Sequence, residues 1–121
     1  MPHTRYDCDG GCPVEATLDL IGGKWKGMIL HHLLGGELRF GELRRRLPGA
    51  TARTVVKQLR ELEQAGMIRR TVYPEVPPRV EYRLTGVGLS LRPVIVSLRV
   101  WGEAWLRAKG HGTPMTPKTA A

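Results

Sequence analysis

Between Phe40 and Leu84 the apolar residues change period, and no other feature of the sequence constrains the fold as much. From Phe40 to about Leu47, and again from Thr51 to about Ala65, they recur at three- and four-residue spacings, as on one face of a helix. Pro48-Gly49 separates the two segments as a turn. From Met67 to Tyr73 and from Val80 to Leu84 the pattern alternates, as in short strands. Pro74, Pro77 and Pro78 lie between these strands, and residues without a backbone N–H cannot carry a ladder through. Two short helices about a turn, followed by a hairpin with a stiff projecting loop, predict a helix-turn-helix with a wing.

The flanking segments are helical. Pro13 suits a first helical position, with Cys12 at the cap and Glu15 in the first turn. Leu18 and Ile21 continue the apolar face until Gly22-Gly23 stops it. A second helix is expected over Lys24 to Leu34, with Trp25, Met28, Ile29 and Leu33 on its apolar side and Gly35-Gly36 at its end. Thr85 caps a last helical region in which Pro93 bends the chain or starts a new segment. Beyond Pro93, Val94, Leu98, Trp101 and Trp105 form an apolar stripe poorly suited to water.

A chain of 121 residues builds one domain with a modest core, which a shared dimer interface would supplement. Leu18, Leu98, Trp101 and Trp105 are the dimerisation candidates. The fold class expected is thus mainly α with a small β-hairpin wing, a winged helix-turn-helix that is dimeric through its terminal helices. Residues 1–11 read as a flexible arm, 12–107 as the domain, and 108–121 as a disordered tail.

Charge narrows the partners. Nineteen Lys and Arg against eleven Asp and Glu give a net charge of +8, which favours a polyanion. Eleven basic and five acidic residues fall between Leu38 and Arg83, whereas the first twenty residues are acidic. No signal-peptide h-region or bilayer-length apolar run is present, so the expected location is the cytoplasm and no membrane partner is expected. There Cys8 and Cys12 start as thiols. No nucleophile shows an evident His and carboxylate pairing, and there is no phosphate-binding loop or HExxH, so the chain does not read as an enzyme. No cofactor is implied. Only His3 adds to Cys8 and Cys12 as a zinc ligand, and adjacent His31 and His32 diverge on a helix, so no metal is expected.

The sequence closely resembles the HxlR family of bacterial regulators, relatives of the MarR group. The matching segments are CPVEATLDLIGGKWKGMILHHLL from Cys12, RFGELRRRLPG from Arg39, LRELEQAGMIRR from Leu59, YPEVPPRVEYRLTGVGLSL from Tyr73, and WGEAW ending at Trp105. The resemblance implies a homodimer held by the first helix and the C-terminal region. It makes Thr51 to Ala65 the recognition helix, entering the major groove, and Tyr73 to Arg79 the wing. Some members of the family sense electrophiles or oxidants through a cysteine that matches Cys12. Family members often carry a larger aliphatic residue where this chain has Ala50, and Leu where it has Val55. Cys8 is not a general family feature.

On that frame Arg53 and Lys57 are the main DNA candidates. They share the face opposite Val55, Leu59 and Leu62, and Arg53 lies near the helix N-terminus that such helices present to base edges. Thr51, Ala52 and Thr54 are weaker candidates. Of Arg44, Arg45 and Arg46, one or two are expected to meet the backbone. Arg79 is either a wing contact or a brace for the hairpin with Glu81. Cys12 is either a sensor, its thiolate favoured by the helix N-terminus and by Lys24 or Lys26, or a capping or half-buried apolar cysteine. Cys8 and Cys12 allow an intrachain or an intersubunit disulfide.

The function expected is that of a sequence-specific DNA-binding transcriptional repressor acting on an inverted repeat and responding to oxidants or electrophiles through Cys12. One alternative keeps the DNA binding but has a small-molecule inducer, in a pocket between protomers near Trp25, or none. Another is a winged-helix module that binds protein.

Overall fold

A computed structural model of the chain describes residues 11–110. Nine elements follow in order: α1 Pro13–Ile21, α2 Lys26–Leu33, β1 Leu38–Arg39, α3 Phe40–Arg45, α4 Ala52–Gln64, β2 Ile68–Tyr73, β3 Arg79–Leu84, α5 Gly86–Leu89 and α6 Arg92–Ala108. The tail beyond residue 110 and the arm that carries His3 and Cys8 lie outside the described residues.

Pro13 opens α1, where a missing N–H costs nothing. Gly22 closes it, and a Cβ there would collide with the Leu18 carbonyl oxygen. The second helix begins two residues later than the periodicity predicts. Gly23 takes φ 73°, and Gly23 to Trp25 form a turn that lays the half-buried indole against the core. In α3 the Glu42 carboxylate accepts the Arg39 backbone N–H at 2.8 Å, satisfying a donor at the helix start. The helix ends at Arg45, short of the expected Leu47. Leu47 remains buried because its N–H bonds the Arg44 carbonyl at 3.1 Å, a tighter turn that still aims the side chain inward.

Thr51 caps α4, its hydroxyl oxygen accepting the Thr54 N–H at 3.1 Å. Val55, Leu59 and Leu62 then bury one face of this helix. They meet Ile29, Leu30 and Leu33 of α2, Leu43 of α3, and Ile68, Tyr82 and Leu84 of the strands in one core. No charged or polar residue is buried among the described residues.

The sheet is antiparallel, in the order β1-β3-β2. β1 was not foreseen, since two residues carry no periodicity. It is recognisable only from its partner, with Leu38 opposite Tyr82 and Arg39 opposite Glu81. In the hairpin Ile68 faces Leu84 on the core side, and Arg69 faces Arg83 outside. Thr85 ends the sheet and starts α5. Its hydroxyl donates to the Gly66 carbonyl at 2.6 Å and accepts the Gly88 N–H at 3.0 Å. Pro93 lies in the first turn of α6, so it starts a segment and does not bend one. Ile95 is the residue through which α6 enters the core.

Candidate nucleic-acid interface

The face of α4 opposite its buried side carries Arg53, Lys57 and Arg60, all exposed. This follows from the 3.6-residue period, which sends positions 53, 57 and 60 away from 55, 59 and 62. Thr51 and Thr54 are linked by their hydroxyls at 3.0 Å across the cap, and Ala52 and Thr54 are half-buried. Within the first turn Arg53 is the exposed charged donor. Arg44, Arg45 and Arg46 are all exposed on the preceding helix and the turn after it.

One arginine, Arg70, escaped the sequence reading. Arg60 and Arg70 line a cleft of about 420 Å³ between α4 and β2, with Val56, Glu63 and Tyr82. The only available signal was the hairpin register, which places Arg70 opposite Tyr82 on the side of the sheet that faces α4. Another missed contact ties the recognition helix to α2. Lys26 Nζ lies 2.7 Å from Glu61, and this hydrogen bond and charge hold the Glu61 carboxyl below its ordinary range.

Arg79, open between two roles in the sequence, braces the hairpin. Its guanidinium reaches Glu75 at 3.0 Å and Glu81 at 3.4 Å, and lies 4.0 Å over the Tyr73 ring.

Cys12 precedes α1 in extended conformation and its side chain makes no capping hydrogen bond. Cys12 thus occupies the N-cap position without capping through its side chain, and its thiol is free and exposed. The lysines expected to assist it are engaged elsewhere: Lys26 with Glu61, and Lys24 at 4.8 Å over the Trp25 ring. Among the described residues no three His, Cys, Asp or Glu side chains are grouped to hold a metal ion.

The dimerisation candidates share one property. Leu18, Leu98, Trp101 and Trp105 are 55%, 52%, 68% and 47% exposed, together with Val14 on α1 and Val94 on α6. Trp101 and Trp105 stack at 6.4 Å. Beside this face a cavity of about 350 Å³ opens between α2 and α6, lined by Met28, His31, Ile95, Leu98, Lys24 and Arg99. Trp25 is not among its walls. No helix among the described residues is long and apolar enough to cross a membrane.

Two helices about a Pro-Gly turn, the second one capped and basic, with a three-stranded sheet behind them, define a winged helix-turn-helix protein, a DNA-binding architecture. The sequence profile of the HxlR-like helix-turn-helix family matches residues 20–110, and the chain belongs to that family, one of transcriptional regulators and not of enzymes. Among curated proteins it is 56% identical over 95 residues to the uncharacterized HTH-type transcriptional regulator YdeP of Bacillus subtilis (strain 168), covering 78% of this chain and 74% of YdeP. Among solved structures it resembles the redox regulator HypR in its oxidized form, with a TM-score of 0.74 and 52% identity over 77% of this chain and 96% of that one. The reduced form of HypR superposes with a TM-score of 0.75 at 50% identity, over 77% of this chain and 92% of that one.

Proposed function

We propose that this regulator is a homodimeric repressor that binds an inverted repeat in double-stranded DNA and releases it when Cys12 is oxidised or alkylated. The observation that carries the DNA-binding part is the exposed Arg53–Lys57 stripe on a capped helix whose opposite face is buried. Arg53 reads a base edge, with an Arg-to-guanine bidentate contact the commonest specific pairing. Lys57, Arg44 and Arg45 neutralise phosphates, and Thr51, Ala52 and Thr54 make shorter contacts around them. The apolar surfaces of α1 and α6, with Leu18, Leu98, Trp101 and Trp105, form the dimer interface, because a soluble monomer rarely leaves so many large apolar side chains in water.

The sensing part rests on the free, exposed Cys12 thiol together with the likeness to a redox regulator solved in two oxidation states. Oxidation joins Cys12 to Cys8 or to a cysteine of the second protomer, forming one S–S bond while two electrons and two protons pass to the oxidant. Cys12 lies at the start of α1, inside the proposed interface. A bond or adduct there changes the spacing of the two recognition helices, which must match half-sites about 34–36 Å apart.

The test is a titration of the full chain against the DNA upstream of its own gene, reduced and after mild diamide treatment, with scrambled DNA as control. Tight binding when reduced, release on oxidation and recovery with added thiol are expected. Equal binding in both states removes the thiol switch and leaves the regulator. A second reading, induction by a small molecule, is favoured by the cavity between α2 and α6, whose apolar floor and basic rim suit an amphipathic anion. Under that reading Cys12→Ser leaves induction intact.

A further inference from the structure

The apolar alternation of the hairpin breaks at one inward position. Ile68, Arg70 and Val72 share the face of β2 whose partners on β3 are Leu84, Tyr82 and Val80. Ile68, Leu84 and Tyr82 are buried there, so an apolar side chain at position 70 would extend the core toward α4. The chain instead places an arginine at that position. Beside it lies the cleft of about 420 Å³ that Val56, Leu59, Arg60 and Glu63 of α4 wall from the other side.

Three donors line this cleft without a partner. Among the described residues neither the Arg60 nor the Arg70 guanidinium has an ion pair or a hydrogen bond, although Glu63 lines the same space. Tyr82 is only 7% exposed, and its hydroxyl likewise has no hydrogen bond among the described residues. A phenolic O–H on so buried a side chain ordinarily finds a partner. Two guanidiniums against one carboxylate also leave the cleft positive.

These features match a bound anion. A planar carboxylate is satisfied by a single arginine fork, whereas two forks and an O–H from three different elements suit the tetrahedral oxygens of a phosphate. Val56 and Leu59 supply an apolar flank for a small ester body. The Glu63 carboxylate opposes a densely charged ligand, so one compact oxyanion fits better than a stretch of duplex backbone.

We propose that the cleft between α4 and β2 binds a single phosphate-class oxyanion, inorganic phosphate or a small phosphate monoester, through Arg70, Arg60 and the Tyr82 hydroxyl. Arg70 is the anchor because it comes from the inward face of the sheet. The site uses neither Arg53 nor Cys12 and does not depend on the DNA-binding reading.

The full-length, reduced protein is titrated with inorganic phosphate and with glycerol phosphate at constant ionic strength, sodium chloride making up the difference. The arginine Nε–H signals are followed by NMR, and circular dichroism checks that each variant is folded. Saturable shifts at Arg60 and Arg70 are expected, with none under chloride alone. Tyr82→Phe, which removes one oxygen and keeps the ring, is expected to weaken binding about fivefold. Arg60→Gln is expected to weaken it about tenfold, from a lost charge-assisted hydrogen bond. Arg70→Lys is expected to weaken it by about the same factor, since the charge stays but the fork is lost, and Arg70→Gln to abolish saturation.

Shifts that chloride reproduces at equal ionic strength would reflect screening and overturn the proposal. Unchanged affinity in Tyr82→Phe and Arg70→Gln would overturn it as well. The backbone of bound DNA is the other source of a phosphate, and a duplex titration over several salt concentrations tests it. A slope of log affinity against log salt lower by about 0.9 in Arg70→Gln, with no saturable binding of free phosphate, would assign Arg70 to the backbone and sink the free-ligand site. A wild-type chain that binds phosphate but no duplex would sink the DNA-binding reading and leave this inference standing.

Discussion

Arg53 and Cys12 are the two side chains on which the proposed function turns. With Arg53 exposed in the first turn of α4 and the threonine hydroxyls beside it linked to each other, Arg53→Gln should cost about 1–3 kcal/mol on the preferred duplex. The same change should relax the base preference at one position per half-site, read by competition with substituted duplexes. Cys12→Ser should bind reduced-state DNA as the wild type does and stay bound after diamide, in a gel-shift or anisotropy titration. His32 supplies a pH signature. Its imidazole is held below its ordinary value of 6.5, first by burial and then by the charges of His31 and Arg46, partly offset by a hydrogen bond with the Arg46 backbone. The unfolded chain therefore binds a proton that the folded one resists, so stability is full above pH 6.5 and falls as pH drops below it. Thermal melts from pH 7.5 to 5.5 should show this decline, and His32→Gln should flatten it.

At the level of elements the sequence was most legible where one helix satisfies two demands. The α4 segment shows both its buried stripe and its basic stripe in the primary structure, and Thr51 was identifiable as its cap. Thr51→Ala should cost about 1 kcal/mol in a denaturant melt, because it leaves the Thr54 N–H without its acceptor. The short elements were not legible. β1 exists because β3 offers it an edge, and the later start of α2 follows from where the Trp25 ring finds the core. Gly88 is the clearest case. Nothing local requires glycine there, yet a Cβ would collide with the Met67 carbonyl oxygen where α5 crosses the start of β2. Gly88→Ala should accordingly lower the melting temperature although alanine is the better helix former.

For the whole molecule, the governing fact is the apolar surface left on α1 and α6. Leu98→Asp with Trp101→Asp should convert the proposed dimer to a monomer in sedimentation, with the fold retained by circular dichroism, since neither side chain belongs to the core. DNA affinity should fall with it, because two half-sites are then bound by separate molecules and the gain from linking them is lost. A dimer that persists would place the interface elsewhere.

Periodicity, turn residues and caps are short-range properties, and they determined the helix-turn-helix, the hairpin and the face of α4 that carries Arg53 and Lys57. Together with the matched segments, they also made the family legible before any coordinates. Tertiary structure decided what depends on residues distant in sequence or on competition among partners. Sequence leaves Arg79 open between phosphate and brace, since either is chemically sound. Folding places Glu75, Glu81 and Tyr73 around one guanidinium and so supplies the brace. Likewise the lysines expected to assist Cys12 are drawn to Glu61 and Trp25, because a charge goes to the partner that packing brings within reach.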